Sequence, residues 1–150
     1  MSLKDLLLSN RSYRSFDSER RISREELLSL VDLTRFTPSS VNIQPLKYIL
    51  TYNEEESETL LSFTRWAKAL PDVTLPPEGH HPVAFITICH DTSVIPEKDG
   101  FLRDVGIVAQ TILLGAVEAG LGGCMIGSFD KEGIRELYNL DEKNISRNLL

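Results

Sequence analysis

The chain is poor in the residues that most often announce a chemistry. It has two cysteines, three histidines and one tryptophan in 150 residues. Cys89 and Cys124 both fall in apolar runs that read as buried strands. They are expected as small core hydrophobes in a reducing compartment, not as a disulfide or a metal pair. His80, His81 and His90 lack metal-ligand spacing, and two of them fall in a proline-rich loop, so no metal site is expected. An excess of positive charge is missing too: 16 Lys and Arg stand against 22 Asp and Glu, a formal net charge of -6. A nucleic-acid binder needs a clustered basic face, and that class is excluded. Any anionic ligand must be held by a few local arginines or by backbone N–H groups.

Other signatures are absent as well. No serine or cysteine stands in a nucleophile elbow, and the Gly120–Gly123 turn lacks the Lys-Ser/Thr of a phosphate loop. A triad hydrolase and a nucleoside triphosphatase are therefore disfavoured. No apolar run approaches the ~20 residues of a membrane span, and the N-terminus has no signal-peptide layout. The expected location is the cytoplasm, with no membrane partner. Repeats and linkers are not found, so residues 1–150 read as a single domain. Its 41% hydrophobic and 25% charged residues are those of a globular protein with a sizeable core.

Along the chain, Ser2 with Asp5 predicts a short amphipathic helix to about Asn10 carrying Leu3, Leu6 and Leu7. Ser23 with Glu26 predicts a second, burying Leu27, Leu28, Leu30, Val31 and Phe36, and stopping before Pro38. Lys47–Tyr52 reads as a strand and Glu54 to about Ala69 as a third helix, acidic at its start. Residues 71–82 form a proline-rich loop, the segment expected to move most. Val83–His90 is apolar enough for a central strand. The pattern from Phe101 to about Gly120 predicts the longest helix, buried almost all round. Cys124–Ile126 reads as a third short strand, and Asp130 caps a helix from Lys131 to Tyr138. Helices alternating with buried strands imply an α/β or α+β domain, a small sheet covered by helices.

Three stretches could carry function. Arg11-Ser12-Tyr13-Arg14 offers two guanidinium forks and a hydroxyl to a phosphate or a polar ring edge, or else is a solvated turn. Thr37–Tyr48 is a loop in which Ser39, Ser40, Asn42 and Gln44 are framed by Pro38 and Pro45. Gly127-Ser128 exposes backbone N–H groups after a strand, which can donate to a ligand or merely turn the chain.

Taken together and in order, these pieces resemble the nitroreductase family of FMN-dependent oxidoreductases over most of the chain. The resemblance rests on Arg11-Ser12-Tyr13-Arg14-Ser15-Phe16, on Pro38-Ser39-Ser40-Val41-Asn42-Ile43-Gln44-Pro45, on Gly120-Leu121-Gly122 and on the run from Ile126 to Asp130. It implies a small mixed, mainly antiparallel sheet flanked by helices, and a homodimer with FMN at the interface. It further implies that Arg11, Ser12 and Arg14 serve the phosphate, ribityl and pyrimidine end of FMN. Pro38, Ser39 and Asn42 would line the ring from the partner chain with Gln44 nearby, and the backbone of Gly127 and Ser128 would face N5 and O4.

The activity implied is ping-pong transfer of hydride from NADH or NADPH through the flavin to a small acceptor such as a nitroaromatic or quinone. The cofactor carries that chemistry, so no side chain is expected as a dedicated acid or base. A flavin-binding module without turnover is the alternative, and a dimeric protein that lost the cofactor fits less well with Asn42, Arg11 and Arg14 in place. Phe63 and Trp66 read as core residues, or as part of a lid over the acceptor slot. Asn10 stands where many members have an arginine. Longer members continue beyond the position of Leu150 into a further strand and tail, for which Leu149-Leu150 could be the start. A chain ending there is expected to lose a sheet edge and part of the phosphate site.

Overall fold

The helices begin where side chains can satisfy their first amides. The computed structural model describes residues 2–67, 69–70, 72–96, 99–140 and 145–146. Helix α1 (Leu3–Ser9) starts on a capping box: the Asp5 amide donates to Ser2 Oγ at 3.2 Å, and the Ser2 amide donates to the Asp5 carboxylate at 2.9 Å. Helix α2 (Arg24–Asp32) repeats the device with Ser23 and Glu26. Arg20 also donates to Glu26, and this bond, with those from the Ser23 amide and hydroxyl, holds the Glu26 carboxyl down at about 2. Asn53 Oδ1 caps α3 (Glu54–Ser62), and Asp130 Oδ1 caps α5 (Lys131–Leu137) through the Gly133 amide. Caps of this kind contribute about 1 kcal/mol each.

Strands β1 (Leu46–Thr51), β2 (Phe85–Asp91) and β3 (Ile145–Ser146) form an antiparallel sheet in the order β1-β2-β3, with Tyr48 opposite Ile88. Because side chains alternate along a strand, β2 faces two ways. Ile86 packs with Leu27 and Leu30 of α2 and with Ile112 and Ala116 of α4 (Asp99–Glu118), and Ile88 packs with Val108 and Ala109. Phe85 points the other way, against Leu60 of α3 and Ile134 of α5. The sheet is therefore covered on both faces, which is why β2 is apolar almost throughout. The fold is α+β, as expected.

Several expectations change. Helix α3 ends at Ser62, short of Ala69, because the chain beyond it pairs sideways: Thr64 bridges Phe129, and the Arg65 amide donates to the Ser128 carbonyl at 2.9 Å. Among the described residues Cys124–Ile126 is not a strand of the sheet; its neighbourhood is tied by isolated bridges, Ser12 to Gly123 and Thr64 to Phe129, and the third sheet strand is Ile145–Ser146. Helix α2 passes into a 3-10 turn at Leu33–Phe36 that swings Phe36 out to 80% exposure, and Leu28 is exposed too. Helix α4 carries an outward stripe of Leu102, Arg103, Gly106 and Ile107 in its first half, while from Val108 to Val117 no residue is exposed and the expected burial holds. By length and composition α4 could also cross a membrane, a likeness missed in the sequence, and its packing on β2 explains the apolarity. Leu149-Leu150, read as the possible start of a strand, lie outside the described residues.

The sheet-to-α4 contact should dominate stability. Ile88 is fully buried, so Ile88→Ala should cost about 3 kcal/mol, the middle of the range for such truncations. Urea unfolding followed by circular dichroism measures it.

Candidate functional site

The Pro38–Pro45 loop is built on a buried carboxylate. Asp104, on the first turns of α4 and 3% exposed, accepts from Ser39 Oγ at 2.8 Å, from the Ser40 amide at 2.8 Å and from Ser40 Oγ at 2.7 Å. Ser39 Oγ in turn accepts from the Gln44 amide at 3.0 Å. Burial would raise the Asp104 carboxyl, but the bonds from Ser40 and Ser39, with His90 acting in the same sense, bring it below the ordinary aspartate value. At its far end the loop is pinned to the sheet, since the Asp91 amide donates to the Pro45 carbonyl at 2.8 Å.

Between these anchors the backbone is strained. Val41, Asn42 and Gln44 have φ of 48°, 56° and 56°. That is left-handed territory disfavoured for side-chain-bearing residues, and worst for a β-branched one. Each such residue costs of order 1–3 kcal/mol, which the surrounding bonds must offset. The side chains of Ser39 and Ser40 are turned inward by this arrangement, whereas Pro38, Asn42 and Gln44 are exposed. Beside them lies a cleft of about 300 Å³ lined by Pro38, Ser39, Gln44, Tyr48 and Asp104 among others.

The arginine stretch sits elsewhere. Ser12 bridges Gly123 in parallel, and the Tyr13 amide donates to the Gly123 carbonyl at 3.1 Å. Arg11 donates to the Leu7 and Asn10 carbonyls, and Arg14 to the Ser12 carbonyl. These are contacts to neutral oxygens, and among the described residues neither cation is paired with a carboxylate. Burial raises the Cys124 thiol, while the Arg14 charge and the Ser12 hydroxyl pull the other way, so both side chains come close to Cys124. The same run continues to Gly127, which is open to solvent, and to Ser128, tied to Arg65. Phe63 and Trp66 pack on the Leu60–Phe85–Ile134 cluster, and Trp66 meets Phe16 edge-on at 6.1 Å.

Two groups thus emerge. Arg11, Ser12 and Arg14 share one region with the run leading to Gly127-Ser128, near the C-terminal end of α4. Pro38, Ser39, Asn42 and Gln44 gather at its beginning. From Asp104 to Glu118 the helix rises about 21 Å, at 1.5 Å per residue. A single planar ring system does not span that distance. Sequence reasoning missed Asp104, because one aspartate in a helical pattern reads as a surface charge. Among the described residues, no group of three or more His, Cys, Asp or Glu side chains is placed to hold a metal ion.

The model of the nitroreductase family matches residues 7–88 and 92–147. The chain belongs to that family, whose members are oxidoreductases. It is 27% identical over 146 residues to a protein of Methanothermobacter thermautotrophicus named among the NADH dehydrogenase/NAD(P)H nitroreductases, covering 95% of this chain and 71% of that one. An oxygen-insensitive NADPH nitroreductase of Helicobacter acinonychis is 24% identical over 165 residues, covering 91% and 79%. The fold matches a Clostridium novyi NT nitroreductase family protein with TM-score 0.79 at 20% identity, covering 99% of this chain and 83% of that one. It also matches a nitroreductase-type protein of Exiguobacterium sibiricum in complex with FMN, with TM-score 0.82 at 20% identity, covering 99% and 85%.

The placement of Arg11–Arg14 depends on a close approach. A Cβ on Gly122 would lie 2.7 Å from the Tyr13 ring, whose hydroxyl is bonded to the Ser9 carbonyl. Gly122→Ala should therefore push Tyr13 away and cost about 1–3 kcal/mol, as overpacking does. Thermal unfolding gives the loss, and amide shifts at Ser12 and Arg14 should move with it.

Proposed function

We propose that the protein is an FMN-dependent oxidoreductase. It passes hydride from NADH or NADPH to a small acceptor such as a nitroaromatic or a quinone, and it works as a homodimer with the cofactor between the copies. The observation that carries this reading is the separation of the two residue groups by the length of α4. A second copy, placed across a two-fold axis, brings the Pro38–Pro45 loop of one chain to the arginines of the other. The FMN complex of the Exiguobacterium protein and the nitroreductase names of the relatives support the choice of ligand.

The residues fit such a cofactor chemically. Arg11 and Arg14 supply positive charge for a phosphate, where a carboxylate-paired arginine would not. Arg14 also supplies a field that stabilises negative charge at a pyrimidine edge. Asn42 and Gln44 carry amides able to bond a ring edge, and Pro38 presents an apolar face to a flat ring. The exposed backbone of Gly127-Ser128 provides donors from the other side. When bound, FMN supplies two-electron hydride exchange on its ring, so the chain's task is to bind, orient and exclude water.

The dimer reading has its own support. Leu3 and Leu8 of α1, Phe36, Val41, and Leu102 and Ile107 of α4 are all exposed, Phe36 and Val41 at 80% and 86%. We read these exposed apolar groups together as the face on which the second copy docks. The free thiols Cys89 and Cys124 suit a reducing compartment, and we place the protein in the cytoplasm.

Purified protein incubated with FMN should be yellow, and NADH or NADPH added anaerobically should bleach the flavin band. A colourless protein would remove the cofactor from the proposal, and a yellow one that does not bleach would leave only a binder. Arg14→Ala should weaken FMN at least tenfold in a fluorescence titration, since bonds to charged groups contribute about 1.5–3 kcal/mol. Ile107→Asp should shift the protein to monomer in light scattering and weaken FMN in parallel. A dimer unchanged by that substitution would move the interface elsewhere.

A further inference from the structure

The binding loop carries two serines whose hydroxyls are used within the protein. Ser39 has one hydroxyl hydrogen, donated to Asp104, and it accepts the Gln44 amide. Ser40 sends both its amide and its hydroxyl to the same carboxylate. Three donors therefore converge on two buried oxygens from a segment holding three residues at positive φ.

We infer that Asp104 is a positioning residue: through Ser39 and Ser40, its buried carboxylate locks the Pro38–Pro45 loop in the left-handed shape that presents Asn42 and Gln44. Its effect on FMN rests on the function proposed above, but the lock itself does not. On this inference the two hydroxyls act on the ligand only through the loop's shape. A carboxylate is needed for this. An amide in its place offers one oxygen for two, so the Ser40 hydroxyl must reverse to accept from its NH2 group, and every bond loses the charge that strengthens it. The loop is then released, while α4 still packs through Val108, Ala109 and Ile112 on the sheet.

The test is hydrogen exchange of the whole protein without added ligand, followed by FMN titration. In Asp104→Asn the Ser40 and Gln44 amides should exchange at least tenfold faster, with the β2 amides of Ile86 and Ile88 unchanged, and FMN should bind at least tenfold more weakly. Ser40→Ala should reproduce part of both effects, and Ser40→Thr, which keeps a hydroxyl donor, should restore them toward wild type. The double variant Asp104→Asn with Ser40→Ala should bind FMN no worse than Asp104→Asn alone. Unchanged exchange at Ser40 and Gln44, or acceleration matched at Ile86 and Ile88, would overturn the inference, because Asp104 would then be inert or a general stabiliser. If the wild type takes up no FMN, the cofactor reading fails, and the exchange measurement still decides the lock.

Discussion

Helix α4 against β2 is the constraint on which the rest of the structure depends. Ile86 and Ile88 reach across to Val108, Ala109, Ile112 and Ala116, and nearly every other element takes its place from that contact. The beginning of the helix holds the serine loop through Asp104. Beyond its end, the Gly120–Gly123 turn receives Ser12 and Tyr13. Packing that serves stability thus also sets the distance between the two groups of candidate residues. Such coupling is economical, since an interior of this density transmits position over its full length.

Much of this was legible in the chain because it is local. Ser2 with Asp5, Ser23 with Glu26, and Asp130 mark helix starts through bonds three residues long, and the near-continuous apolar run of β2 shows a strand covered on both faces. Three of the failures have one cause in common, a partner far away in sequence. Helix α3 had the residues to continue past Ser62, but Thr64 and Arg65 found Phe129 and Ser128 and left the helix. Cys124–Ile126 has the composition of a strand but, among the described residues, no neighbour in the three-stranded sheet. Asp104 could not be distinguished from a surface charge until its three donors, more than sixty residues away in the chain, stood around it.

The candidate residues were visible for a different reason. Polar side chains framed by prolines, and arginines spaced around a serine, are unusual for connectors whatever their fold. What the residue pattern by itself could not show was their division, which only the family resemblance implied. Arg11, Ser12 and Arg14 sit with the run to Gly127-Ser128, whereas Pro38, Ser39, Asn42 and Gln44 sit with the start of α4. Nor could it show that Ser39 and Ser40 face inward. Exposed polar loops are normally soft, but this one is held at Asp104 and again at Asp91, so its ordering entropy is spent in folding and not again on a ligand.

The separation along α4 also has a genetic meaning. In the proposed dimer each pocket is assembled from the arginines of one copy and the loop of the other. A lesion in one chain's loop is therefore felt in the pocket built on its neighbour's arginines. A damaged allele expressed beside an intact one spoils one pocket per damaged chain, so half the pockets survive however the chains pair. Two alleles damaged at different ends can instead complement, because their mixed dimer reunites one whole pocket from the undamaged half of each.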